Sequence, residues 1–446
     1  MHDSAILLDF GASRVKSVLW SHREGRPLSR CECVAPGLLR GPCGEVEGEP
    51  EHYWQALEAT AGQLASSNPT VQDIWLCAEM HGFMLADNAT GQPITRYISW
   101  QDQRASYRST GDPSEFNELL SGLGPLLMRH AGMRSRPGLP AINLASLRAQ
   151  LGGVGHIRFL TLVDWLMLRG GDPAARCHRT LAAGTGLYSL ESASWSKDLL
   201  GLVLDDPGSV AMPALQGDQY ALIGTINLAG RAMRVWGGLG DLQAAAYGAG
   251  FPHASSVLVN LGTGSQVMAL TTTRVENVEV RPCAQGEIAN AITHIPSGRA
   301  LNTFASFVNA CCSAGGGQPV FWRLFGKLQA DEVLAAEPTF DLNVFDSAWR
   351  YRAGGSITHI NESVFSLDWF MNTLAKSWLV QYAQALSEMA AIVPGNTFLL
   401  AGGMSRRAAF IAPVLESLLG RRAVSVPLRT GEETLDGLLA LAEISH

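Results

Sequence analysis

Residues 6–20 read "ILLDFGASRVKSVLW", and the fold of the whole chain turns on them. An apolar run, Ile6 to Leu8, meets Asp9 and Gly11. Small and polar residues follow, and an alternating apolar run resumes after Lys16. Two such runs split by a glycine-led turn predict a β-hairpin. A bare hairpin needs no acid at the end of its first strand. One that faces a phosphate and its metal ion does, because the carboxylate suits the metal and the glycine lets backbone N–H groups approach.

The stretch has a partner. Residues 256–270, "SVLVNLGTGSQVMAL", again lead a β-branched run into a glycine turn and return as an apolar strand. The two lie about half a chain apart. A chain of 446 residues exceeds one ordinary core. The expectation is two domains of similar plan, each opening on a phosphate-facing hairpin. The junction falls in "YGAGFPHAS" around 245–255, which divides the chain into 1–248 and 249–446.

Strands alternating with helices between and after these hairpins indicate an α/β chain. "DIWLCAEMHGFMLAD" and "RYISWQDQRA" read as strands or strand ends interrupted by polar, function-type residues. "RFLTLVDWLMLRGG" has helical spacing and stops at Gly170 and Gly171. "DLQAAAYG" predicts a short helix with Asp241 at its start, where an acid suits both the cap and the dipole. "NTFLLAGGMSRRAAFIAPVLESLLGRRAVSVP" predicts strand, Gly-Gly turn, helix and strand. Ser405 is placed to cap that helix, Gly420 to end it, and Pro413 to kink it. Trp54, Trp75, Trp165 and Trp195 read as core aromatics.

Composition narrows the function. Hydrophobic residues make up 47% and charged residues 16%, as in a well-packed enzyme. The net charge is −7 with no basic block, which argues against a nucleic-acid surface. The start, "MHDSAILLDF", lacks the positive region of a signal peptide. No run of 18 apolar residues predicts a membrane span. The eight cysteines form no metal or disulfide framework: Cys31 and Cys33 make only C-x-C, and Cys311 and Cys312 are adjacent. A reduced, cytoplasmic chain is the expectation.

The chain also resembles the FGGY carbohydrate kinases, from about residue 5 to 443. The resemblance rests on ordered motifs: "DFGASRVK" at 9–16, "EMHG" at 79–82, "WQDQR" at 100–104, "GLGD" at 238–241, "LGTGS" at 261–265 and "AGGMS" at 401–405. "EMHG" with "SWQDQR" looks most like the ketose branch, the xylulokinases and sedoheptulokinases. "RPGLPAINLASL" and "ALNTFASFV" lean towards the latter. The chain departs from the pattern at Ala12, where threonine is usual, and at Arg14, where a small residue is common. Glu79 stands for the usual glutamine, and the late "DGLLALAE" keeps only Gly437 clearly.

The resemblance implies two actin-like, ribonuclease-H-like ATPase domains with an active-site cleft between them. The N-terminal one would hold the sugar and the C-terminal one the nucleotide. It implies a kinase that uses ATP and Mg²⁺ to phosphorylate a small-molecule sugar, most of all a ketose of sedoheptulose or xylulose type, at a primary hydroxyl. Asp241 would be the general base, a role that can coexist with capping its helix. Asp9 would face Mg²⁺ through water. Gly11, Ala12, Ser13 and Lys16 would form the first phosphate loop, although Lys16 also reads as an edge-strand lysine. Gly262, Thr263 and Gly264 would form the second loop, and Gly402 and Gly403 would lie against the adenosine. Met80, His81, Trp100, Asp102, Arg104 and Asp241 would line the sugar site, with Arg104 also able to orient Asp102. No nucleic acid or membrane partner is expected, and a homodimer stays open. Two rivals remain: a catalytically weakened sugar and nucleotide sensor, and an actin- or chaperone-type ATPase.

Overall fold

The computed structural model describes residues 3–108, 113–151, 156–216, 221–262, 265–270, 274–276, 278–283, 287–345, 349–350, 354–389 and 395–444. They form two compact units. The first takes residues 1–248, 280–288 and 428–446, and the second takes 249–279 and 289–427.

In the first unit the opening stretch forms the expected hairpin. Strand Ser4–Phe10 (β1) pairs antiparallel with Arg14–Ser21 (β2), and β2 with Arg26–Val34 (β3). Beside β1 the direction changes. Asp73–Ala78 (β4) runs parallel to it, Arg231–Gly240 (β6) runs parallel to β4, and Leu222–Leu228 (β5) closes the edge antiparallel to β6. The six-stranded order is β5-β6-β4-β1-β2-β3. β1 is buried along its length because it lies inside the sheet with both faces covered, which is why its residues are apolar in succession. Ile6, Leu8 and Phe10 share a core with Tyr53, Trp54 and Leu57. Trp75 stacks on Trp236 at 5.7 Å. Trp54, Trp75 and Trp165 are buried and Trp195 is partly so. Helix Leu162–Arg169 (α1) starts at a Thr161–Asp164 capping box and ends at Gly170. Asp241–Gly248 (α2) follows β6 without a break.

The second unit repeats the plan. Val257–Asn260 (β7) and Ser265–Leu270 (β8) make an antiparallel hairpin, and Ile288–Ile295 (β9) pairs antiparallel with β8. Thr397–Ala401 (β10) lies parallel to β7, and Arg422–Val424 (β11) parallel to β10. The order β9-β8-β7-β10-β11 matches β3-β2-β1-β4-β6 strand for strand in direction. Helix Leu367–Met389 (α3) buries Leu374, Trp378 and Tyr382 in the core of this unit.

Two local expectations change. Helix Ile411–Leu419 (α4) begins six residues after Ser405, whose hydroxyl instead bonds the Gly402 carbonyl at 2.7 Å. Pro413 therefore falls in the first turn, where no N–H is needed, and does not interrupt the helix. Gly420 ends it with φ 61°.

Helix Glu433–Ile444 (α5) returns to the first unit and packs on β1, β4 and α2. Glycine makes the α2–α5 approach possible. A Cβ on Gly437 would lie 1.8 Å from the Ala244 carbonyl oxygen, and one on Gly248 would lie 1.8 Å from that of Glu433. No helix among the described residues is long and apolar enough to cross a membrane.

Candidate active site

In the first unit, register assembles the acids. Phe10 is paired with Ala78, and Ala78 with Gly240. The next residues out of the sheet are Gly11, Glu79 and Asp241. They leave at the carboxyl end of three adjacent parallel strands, where open α/β sheets bind ligands.

Asp9 is 5% exposed and lies one residue inside that rim. Thr434 donates its hydroxyl to Asp9 Oδ2 at 2.7 Å, and the Cys77 thiol lies 3.6 Å from Oδ1. Burial pushes the carboxyl up, while Thr434 and the nearby Lys16 charge oppose the rise. Lys16 faces Asp9 across the hairpin and pairs with Glu432 at 2.8 Å. Gly11 N–H bonds the Arg14 carbonyl at 3.1 Å, so the turn is closed by backbone, and Ala12 and Ser13 are exposed at its tip. Arg14 is held in an exposed ion pair with Glu32.

Asp241 opens α2, and its Oδ1 accepts the Leu242 N–H at 2.8 Å. Burial, then the Asp9 charge, push its carboxyl up to about 7, with Glu79 adding to the rise. The end of β6 is pinned from below: Gly240 N–H donates to the Thr180 hydroxyl at 3.0 Å, and that hydroxyl meets His178 Nδ1 at 2.9 Å. Burial lowers His178 to about 3, so it is neutral and accepts.

The expected sugar residues separate into two groups. Met80 is buried, and its sulfur would stand 2.6 Å from a Cβ on Gly240, so it packs under the loop. His81 takes φ 65°, an uncommon left-handed conformation for a residue other than glycine. Its Nδ1 lies 2.5 Å from the Gly184 carbonyl, which makes Nδ1 the donor. Arg136 Nη2 is 3.4 Å from the other ring nitrogen. Trp100 is 42% exposed rather than core.

Asp102 and Arg104 take a different place. Asp102 is 0% exposed. Its Oδ1 accepts from Arg104 N at 3.0 Å and Nε at 2.8 Å, and its Oδ2 from Val46 N and Arg104 Nη2, each at 2.7 Å. Four donors fill a carboxylate's capacity, so none is left for a sugar hydroxyl. Arg104 continues to Glu47 at 2.5 Å. The pair braces the loop that carries Trp100.

Sequence reading missed Thr434, Glu432, Cys77, Thr180 and Arg136. Thr434 is 425 residues from Asp9, and nothing local marks it.

In the second unit, Leu261 N–H bonds the Ala401 carbonyl at 2.8 Å, and Met404 N–H bonds Leu261 O at 2.9 Å. This ties the two glycine turns together. Gly262 N–H donates to the Ser265 hydroxyl at 3.1 Å. Gly402 has φ 89°, and a Cβ there would stand 2.4 Å from both Asn260 Oδ1 and Leu261 O. Gly403 is exposed with open space where a side chain would be, leaving bare backbone. Thr263 and Gly264 lie outside the described residues. No group of three or more His, Cys, Asp or Glu among the described residues is placed to hold a metal ion.

The model of the FGGY family of carbohydrate kinases, N-terminal domain, matches residues 4–248. The chain belongs to that family. Among curated proteins it is 27% identical over 289 residues to an apulose kinase of Pectobacterium atrosepticum, covering 61% of this chain and 56% of that protein. It is 30% identical over 275 residues to a glycerol kinase of Paracidovorax citrulli, covering 58% and 52%. The chain thus spans about half the length of the curated relatives it matches. Among solved structures, a gluconate kinase of Lactobacillus acidophilus superposes with a TM-score of 0.80 at 14% identity, over 99% of this chain and 89% of that one. A xylulose kinase of the same organism gives 0.79 at 15% identity, over 99% and 89%. These likenesses establish the two-domain, actin-like α/β fold.

Proposed function

We propose that the protein transfers the γ-phosphate of ATP to a primary hydroxyl of a small carbohydrate. The observation that carries this is Asp241: a carboxyl that opens a helix at the carboxyl end of the parallel strands, where burial and the Asp9 charge push it up to about 7. A general base works best when its pKa lies near the working pH. Asp241 would take the hydroxyl proton as the oxygen attacks. The region 1–248 would hold the sugar, through His81 and Trp100 with Met80 beneath them, and 249–446 the nucleotide, with Gly402 and Gly403 at the adenosine.

The residues fit Mg²⁺. The ion commonly takes one or two carboxylates and keeps several waters, so Asp9 alone, through water, is a sufficient protein contribution. Magnesium-bound ATP would supply the phosphoryl group with its charge neutralised. Gly11 and its neighbours would offer backbone donors to the phosphates, and Gly262 belongs to the matching turn. Lys16 would reach a phosphate by exchanging Glu432 for it.

A ketose of xylulose or sedoheptulose type is the class favoured by "EMHG" and "SWQDQR". The apulose kinase relative supports a kinase of small sugars, and the glycerol kinases support one of polyols. The sensor reading draws on Ala12, and on Arg14 being tied to Glu32.

The test is ADP release over ketoses, aldoses and polyols at fixed ATP and Mg²⁺. Asp241→Asn should lower turnover on the active sugar by about 10²- to 10⁴-fold while sugar binding changes less. Near-native turnover in the variant would remove Asp241 from the role. Sugar binding with no ADP release across the panel would leave the sensor.

A further inference from the structure

We infer that Glu79 contacts the substrate, accepting a hydrogen bond from the hydroxyl on the carbon next to the one that is phosphorylated. The inference rests on the kinase reading above and deepens it. It defines the end of the sugar the enzyme uses: HO–CH₂–CH(OH)–, and not HO–CH₂–C(=O)–.

Position is the first argument. Glu79 leaves β4 in the row that delivers Asp241 from β6, and its N–H is fixed to the Phe10 carbonyl at 2.8 Å. The Glu79 charge is one of the groups that raise the Asp241 carboxyl. A substrate whose reacting hydroxyl sits at Asp241 therefore presents its next carbon to Glu79. Glu79 is also directly before Met80 and His81, on the loop already assigned to the sugar.

The second argument is chemistry. The Glu79 carboxyl is faced by the Tyr97 hydroxyl and the Trp100 indole, both hydrogen-bond donors, while Tyr53 and Asp241 are the other titratable groups around it. Tyr97 is fully buried, and among the described residues its hydroxyl has no partner at ordinary hydrogen-bond geometry. Gly82 gives that hydroxyl its room, since a Cβ there would lie 1.8 Å from it. Donors on the protein side favour the ionised carboxyl, and burial opposes it, pushing Glu79 up to about 7. Above that pH the carboxylate can only accept. A substrate hydroxyl can donate to it. A carbonyl oxygen cannot, and would set acceptor against acceptor in a buried site. Sites built on such polar matching discriminate strongly against a mismatched analogue.

The experiment uses the native protein with ATP and Mg²⁺ at about pH 8, so that Glu79 is mainly ionised. The first substrate is a pentulose, which has one primary hydroxyl beside a carbonyl and one beside a hydroxyl-bearing carbon. NMR of the product should place the phosphate at the hydroxyl-flanked end. For the pair glycerol and dihydroxyacetone, kcat/KM should favour glycerol by about tenfold or more, and Glu79→Gln should reduce that ratio by about tenfold, because an amide can also donate. Phosphate at the carbonyl-flanked end in the native protein overturns the inference without any variant. So does a Glu79→Gln protein with native melting temperature and an unmoved ratio. In both cases turnover persists and the kinase reading stands. No turnover of any carbohydrate by the native protein would instead sink that reading, and this inference with it.

Discussion

Replacing Asp102 by alanine is predicted to act on folding before it acts on the sugar. The substitution removes an acceptor from four protein donors and leaves Arg104, 3% exposed, with Glu47 as its remaining carboxylate partner. Breaking a buried ion pair from one side costs about 3–5 kcal/mol when the charge is stranded, and the low end, about 3 kcal/mol, applies here because Glu47 still holds one Arg104 nitrogen. For a unit of this size each kcal/mol lowers the melting temperature by about 2–4 °C, so the first thermal transition should fall by roughly ten degrees. Asp102→Asn keeps the shape but loses the charge, and should cost less, on the order of 1.5–3 kcal/mol. Removing both partners, Asp102→Asn with Arg104→Met, should recover part of the loss because no lone charge is left buried. Calorimetric scans give the transitions, and titration of the folded variant gives sugar affinity. The reasoning is refuted if Asp102→Ala melts like the native protein and loses sugar affinity alone, which is what a direct hydroxyl acceptor would do.

Gly437→Ala should also destabilise the first unit, by about 1–3 kcal/mol, because its methyl meets backbone at 1.8 Å and cannot be accommodated by a rotamer change. As α5 carries Thr434 to Asp9, turnover should fall with it. The pH dependence follows from Asp241 and Glu79, both pushed up to about 7. The unfolded chain releases these protons near pH 4, and the folded one holds them to about 7, so stability from these groups falls as pH rises through that window. Melting temperatures of the ligand-free protein and of Asp241→Asn with Glu79→Gln should therefore differ in slope between pH 4 and 7, and native turnover should rise through pH 7 as the base ionises. Ala12→Thr adds one hydroxyl to the exposed tip of the first loop. It should lower the Michaelis constant for ATP by about two- to twelve-fold, with sugar preference unchanged in the same ADP-release assay.

The sequence by itself determined the two hairpins, the α/β plan and the places of Asp9 near a strand end and Asp241 at a helix start, because these depend on near neighbours. Strand alternation, a glycine turn and a cap are each written within about ten residues. The same holds for α1, whose Thr161–Asp164 box and Gly170 stop are local. Pro413 and Ser405 misled because a cap and a kink depend on where a helix starts, and turn geometry at Gly402 moved that start. Asp102 looked like a sugar ligand because sequence records residue type and not occupancy. Only the folded loop brings Val46 N–H and the Arg104 guanidinium onto its two oxygens. Tertiary structure alone decided that Thr434 and Glu432 reach Asp9 and Lys16 across more than four hundred residues. It also decided that Glu79 shares a row with Asp241. That row is a property of strand register, and register is set by how β4 and β6 pack side by side, which no single segment encodes.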